Sequence, residues 1–147
     1  MSNTLSINKI FHFEAAHALH NYSGSCQFIH GHSYKLQVSI GKAISDEEFI
    51  EGIGILYDFK DLKRIVSLLI EKYFDHKLIV SQKLLDANPG IQTQSNLVVL
   101  PYEPSAENMV IFLKKEITKS LPTTMEVKKL RLYETNSSFV EWTLEGI

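Results

Sequence analysis

Between Cys26 and His32 the chain places one thiol and two imidazoles, in the order Cys26-Gln-Phe-Ile-His30-Gly31-His32, and a third imidazole, His17, stands just upstream. This grouping points to a metal ion beside a nucleophile or base. In an extended strand, residues i and i+2 point to one face, about 6.5–7 Å apart along the chain. His30 and His32 can therefore converge on one ion, and Gly31 between them leaves the backbone free to approach and bend. His17 can close a trigonal base. Three neutral imidazoles with an open fourth position make a catalytic zinc shell, with Zn–N near about 2.0–2.1 Å. A structural zinc site is more often closed by four ligands rich in cysteine, and this chain has a single cysteine. The competing readings are plain: a lone cysteine is usually a small core residue, and surface strands carry His-x-His pairs by chance.

These side chains need strands and helices to position them. From His32 the alternation is clean, with Tyr34, Leu36, Val38 and Ile40 on one face and Ser33, Lys35, Gln37 and Ser39 on the other. That pattern predicts a half-buried antiparallel strand. His30 and His32 share the parity of Tyr34 and Leu36. Alternation from Ile7 to Glu14 predicts the strand before it, and Asn21 to Gln27 reads as a loop. Asp58 is the expected N-cap of a helix that runs to about Phe74, with Phe59, Leu62, Ile65, Val66, Leu69, Ile70 and Tyr73 as its apolar stripe. Residues 75–103 are less regular, with a turn at Asn88-Pro89-Gly90 and a short strand near Asn96 to Leu100. Ser105 caps a second helix, Glu107 sits in its first turn, and Pro122 stops it. Val127 to Thr135 and Phe139 to Leu144 read as strands joined by a hairpin at Asn136-Ser137-Ser138. The expected order is strand, strand, helix, helix, strand, strand, within one domain spanning 1–147.

Composition narrows the class. With 44% hydrophobic and 22% charged residues the chain is an ordinary globular protein. A net charge of -2 argues against a general nucleic-acid binder. No apolar run approaches the ~20 residues that span a bilayer, and Met1 to Ile10 does not look like a signal peptide. The single cysteine excludes an intrachain disulfide and fits a reducing compartment, so the cytoplasm is the expected location.

Six motifs in order carry a resemblance. They are Phe13-Glu14-Ala15-Ala16-His17, Cys26-x3-His30-Gly31-His32, Asp58-Phe59, Asp75-His76, Pro104-Ser105-Ala106-Glu107-Asn108 and Glu134-Thr135. Together they resemble the 6-pyruvoyl-tetrahydropterin synthase / 6-carboxytetrahydropterin synthase family nearly end to end. The resemblance implies an α+β tunnelling fold (T-fold), a four-stranded antiparallel sheet with two helices on one face. Three such subunits would close edge to edge into a β-barrel, and two trimers would stack into a homohexamer with active sites between subunits.

The resemblance also implies roles. His17, His30 and His32 would hold zinc, and Cys26 would abstract a proton, its thiol made acidic by neighbouring cations. Asp75 and His76 would form a second acid–base device. Being adjacent, they would face opposite ways in a strand, so direct contact needs a turn. Asp75-His76 could instead end a helix. Glu134 would anchor the pterin edge by accepting two hydrogen bonds. It shares parity with Leu130 and Leu132, a placement that calls for a buried partner. Glu107 is a second candidate for substrate binding, or only a favourable first-turn charge. His12 and His20 read as bystanders.

Two departures bear on the reaction. Ser105 stands where the family commonly has threonine, and the segment Lys77 to Glu103 is longer than in the bacterial enzymes. The three-residue gap between Cys26 and His30 resembles the branch that converts 7,8-dihydroneopterin triphosphate to 6-carboxytetrahydropterin, acetaldehyde and triphosphate, toward queuosine. The alternatives are 6-pyruvoyl-tetrahydropterin formation toward biopterin, and a silent zinc-bearing pterin-binding protein. Retained Cys26, Asp75 and His76 argue against the silent reading, because binding needs none of them.

Overall fold

Two long alternating strands form the centre of the sheet. The computed structural model describes residues 3–24 and 27–145, so the expected role of Cys26 lies outside the described residues. Strand β1 (Asn3–His17) and strand β2 (His30–Ile44) pair antiparallel along their whole length, from Asn3 opposite Ile44 to His17 opposite His30. Phe11, Phe13 and Ala15 of β1 and Tyr34, Leu36, Val38 and Ile40 of β2 are buried on one face, as the alternation predicts. Gly41 is required by this pairing: a Cβ there would run into the Leu5 carbonyl oxygen and the Ser6 backbone.

The two long helices cover that face. Helix α1 (Phe59–Tyr73) starts where Asp58 accepts a hydrogen bond from the Lys60 amide at 2.8 Å. It buries Leu62, Ile65, Val66 and Ile70, whereas Phe59, expected in the stripe, is 53% exposed because it sits at the open first turn. After the intervening segment, a helix over Ala106–Ser120 starts at Ser105, whose hydroxyl accepts from the Asn108 amide at 3.2 Å. It buries Met109, Val110, Leu113 and Ile117 in one core with α1 and the sheet. The chain closes with a hairpin of strands Glu126–Tyr133 and Phe139–Thr143, the first paired antiparallel to β2.

The expected four-stranded sheet of order ββααββ is corrected by residues 77–103. These form β3 (Lys77–Ser81), a short helix α2 (Gln82–Ala87), a 3-10 turn (Pro89–Thr93) and β4 (Leu97–Leu100). The helix at Ala106–Ser120 is thus α3, and the closing strands are β5 and β6. The sheet has six strands in the order β4-β3-β1-β2-β5-β6. It is mixed, since β3 runs parallel to β1 and β4 runs parallel to β3. The reason is that β3 is apolar on both sides. Ile79 joins the main core, while Leu78 and Val80 join a second cluster with Ala18 and Leu84 on the opposite face. A strand buried on both faces reads as an unbroken apolar run without period. Among the described residues, no helix is long and apolar enough to cross a membrane.

Candidate active site

The β1–β2 pairing assembles the three imidazoles. His17 and His30 lie directly opposite each other, and His32 is opposite Ala15, on the same face one step along. Their ligand nitrogens all lie within 4.8 Å of one another. The strand stays regular at Gly31, where a Cβ would stand 3.4 Å from the Ala15 carbonyl oxygen, so the expected bend is not needed. The sheet's pleat alone brings the rings together.

Hydrogen bonds settle which nitrogens face the centre. His17 Nδ1 lies 2.6 Å from the Pro104 carbonyl oxygen, and His30 Nδ1 lies 2.7 Å from that of Phe28. A carbonyl only accepts, so each Nδ1 carries the proton and each Nε2 carries a lone pair. The two Nε2 atoms stand 3.1 Å apart. Two lone pairs aimed at each other repel unless a cation lies between them. Nitrogens each about 2.0–2.1 Å from one ion at a tetrahedral angle stand roughly 3.3–3.4 Å apart, close to what is found. His32 Nε2 is buried and makes no hydrogen bond, although Glu134 Oε2 approaches to 3.3 Å. Burial holds the His17 imidazole below the usual histidine range, against the opposing pull of its bond to Pro104. The donor set therefore fits a divalent cation of the zinc type.

The carboxylates fall on two sides. Glu134, just past β5, supplies the partner its parity called for, at His32. Glu134 and Glu107 line one small pocket of about 170 Å³ with Ser138 and Phe139. Glu107 itself is exposed in the first turn of α3. Asp75 and His76 follow α1, and their side chains meet: Asp75 Oδ1 lies 3.1 Å from His76 Nδ1. The turn this contact requires is present, because His76 has φ 59°, in the left-handed region. The alternative reading is half met: the Asp75 amide donates to the Ile70 carbonyl oxygen of α1 at 2.8 Å, whereas the His76 amide donates to the Glu14 carbonyl oxygen at 2.6 Å. A cleft of about 420 Å³ is lined by Glu14, Ser33, His76, Lys77 and Asn96 among others; of the three imidazole residues only His32 borders it.

Sequence reasoning gave no role to Pro104 and Glu14, which stand in its motifs, or to Asn96. Pro104 acts through its backbone carbonyl, and its neighbours hold it. Glu103 Oε1 accepts from the His20 amide at 2.6 Å, and the Glu103 carbonyl oxygen accepts from Asn108 Nδ2 at 2.9 Å. Its place before the Ser105 cap was the one available signal. Glu14 Oε2 accepts from the Ser33 hydroxyl at 2.7 Å. His12 and His20 belong to neither cluster of site residues.

Comparison with known proteins gives the chain a family and a fold. The family described as 6-pyruvoyl tetrahydropterin synthase matches residues 6–145. A 6-carboxy-5,6,7,8-tetrahydropterin synthase of Rickettsia typhi is 34% identical, over 88% of this chain and 93% of its own. The enzyme of that name from Haemophilus influenzae is 33% identical, over 92% and 96%. Among solved structures, an uncharacterized Wolinella succinogenes protein superposes with a TM-score of 0.79 at 18% identity, covering 98% of this chain and 100% of its own. The 6-pyruvoyl tetrahydropterin synthase of Caenorhabditis elegans superposes with a TM-score of 0.65 at 21% identity, covering 97% of each chain.

Proposed function

The chain belongs to the 6-pyruvoyl tetrahydropterin synthase family, and from that premise we propose that it is a zinc-dependent 6-carboxytetrahydropterin synthase. Its substrate is 7,8-dihydroneopterin triphosphate, and with water the products are 6-carboxy-5,6,7,8-tetrahydropterin, acetaldehyde and triphosphate, on the queuosine route. The carboxy-forming names of the relatives at 33–34% identity support this product over the pyruvoyl one. The observation that carries the reading is the His17–His30–His32 triangle with Glu134 beside it, in a chain whose family match spans residues 6–145.

His17, His30 and His32 are the residues that hold zinc, which when bound supplies Lewis acidity to the side-chain hydroxyls of the substrate. His17 and His30 are fixed in the required tautomer by Pro104 and Phe28. Glu134 accepts hydrogen bonds from the pterin ring, with Glu107 across the same pocket. A His32 Nε2 engaged as a ligand cannot also donate to Glu134, so the carboxylate is then free for the pterin. Asp75 accepts from His76 Nδ1–H, which leaves the far nitrogen of the ring, exposed in the cleft, to take or return a proton. Cys26 is the proton abstractor of this reading.

The open sheet edges support assembly. Among the described residues, β4 and β6 each have one paired neighbour, and open edges are covered when subunits join. The working form of this reading is a homotrimer or homohexamer in the cytoplasm. The deciding experiment is a product assay with zinc-loaded protein, read by mass spectrometry with acetaldehyde trapped. Carboxytetrahydropterin with stoichiometric acetaldehyde is expected. Pyruvoyl-tetrahydropterin without acetaldehyde would move the chain to the other branch of the family.

A further inference from the structure

Asp75 and His76 touch only because the backbone makes an unfavourable turn between them. His76 has φ 59°, a conformation that any residue with a Cβ disfavours. Left to itself, His76 would return to an extended conformation, and its ring would swing away from Asp75. The turn is closed locally, the Lys77 amide donating to the Phe74 carbonyl oxygen at 3.1 Å, and further hydrogen bonds tie down both ends of His76. On one side β1 grips the dipeptide, since the His76 amide donates to Glu14 O at 2.6 Å and the Glu14 amide donates to Asp75 Oδ1 at 3.0 Å. On the other side Asn96 Nδ2 donates to the His76 carbonyl oxygen at 2.9 Å. Asn96 is itself anchored, because its carbonyl oxygen accepts from the Leu78 amide at 3.1 Å, at the point where β3 and β4 begin to pair.

We propose that Asn96 is a positioning residue for the His76 imidazole, delivered by the additional β3–β4 segment to hold the left-handed turn that joins the acid–base pair. The proposal rests on the proton-transfer role given to Asp75 and His76 above. It gives the long segment 77–103 a function. This segment sets a side-chain amide, from the position just before edge strand β4, against one exposed backbone carbonyl. Asn96 also lines the cleft, so a direct substrate contact is the rival role. The two separate kinetically: positioning acts on kcat, and a ground-state substrate contact acts on KM.

The test uses Asn96→Ala in the zinc-loaded protein. Its kcat should fall by about tenfold, the scale of one lost hydrogen bond, with KM and zinc content unchanged. In a His76→Ala background, followed by single-turnover measurement, Asn96→Ala should cause no further loss, because no ring remains to be positioned. Histidine-selective NMR should show the His76 ring signals moving, with those of His17, His30 and His32 in place. Should Asn96→Ala fail to fold, Asn96→Asp keeps the size and loses the donor. Wild-type kcat with unmoved His76 signals would overturn the proposal, and so would a raised KM at constant kcat. If the wild-type protein does not turn the substrate over, the functional reading fails on its own, and the His76 signals still decide the positioning role.

Discussion

His17 and His30 present equivalent nitrogens to the centre of the site, yet their replacement by alanine should have different consequences for the fold. Either change leaves two imidazoles. Loss of an outer hydrogen-bond partner alone typically weakens metal binding by about 10–100-fold, so loss of a ligand should exceed ~100-fold and abolish stoichiometric zinc in both variants. The metal-free proteins should differ. His17 is 2% exposed, and its Nδ1 is the partner of a buried Pro104 carbonyl. Stranding that carbonyl costs about 1–3 kcal/mol. A chain of this length loses roughly 2–4 °C in Tm per kcal/mol, so metal-free His17→Ala should melt about 2–12 °C below metal-free wild type. His30 is only half-buried and its partner Phe28 is exposed, so water replaces the bond and the Tm should barely move. The assay is thermal melting of chelator-treated proteins beside competitive zinc titration. One zinc per chain retained in either variant, or equal melting of metal-free His17→Ala and wild type, would refute the reasoning.

Other outcomes follow from the same structure. Glu134→Gln should weaken pterin binding while zinc stays stoichiometric, and wild-type affinity by calorimetry would remove Glu134 from the anchor role. Cys26→Ala should abolish turnover while pterin affinity and zinc are kept; residual turnover near wild type would exclude the thiol as the base. Gly41→Ala forces a methyl group against Leu5 and Ser6 across β1–β2, so it should cost about 1–3 kcal/mol or more, seen as a lower urea midpoint. The Arg131 guanidinium, bonded to Glu141 at 2.7 Å, holds that carboxyl below its usual range. A depressed folded pKa stabilises above the ordinary carboxylate range and is lost as pH falls through the folded value. The Tm difference between wild type and Glu141→Gln should therefore be present at neutral pH and close below about pH 4.

The legible parts of the chain were those with period. Strict alternation placed β1 and β2, and parity alone put His30 and His32 on the core face with Tyr34. The Asp58 and Ser105 caps located α1 and α3, because a short polar side chain before an apolar stripe has one good use there. Parity also put Glu134 on the core face, beside the partner it needed. The unbroken apolar residues of β3 carry no period and hid that strand, and the short strand expected near Asn96 to Leu100 was not counted into the sheet it joins through β3. The Asp75–His76 dipeptide showed that a turn was required but not its partners, since Glu14 and Asn96, which bond to the two ends of His76, lie 62 and 20 positions away. The Pro104 carbonyl was invisible for a simpler reason: a backbone acceptor is the same for every residue type.

The opposition of His17 and His30 across β1 and β2 has a consequence for how the chain reaches its native state. Long paired strands can slip, and a slip of one residue turns every side chain of one strand to the other face. In that misaligned ladder His30 and His32 would point away from His17, and the three-nitrogen set would vanish. A cation captured by all three rings therefore recognises one alignment out of the several that a 15-residue ladder offers. A divalent cation held by these three rings would thus favour the native register over its slipped neighbours.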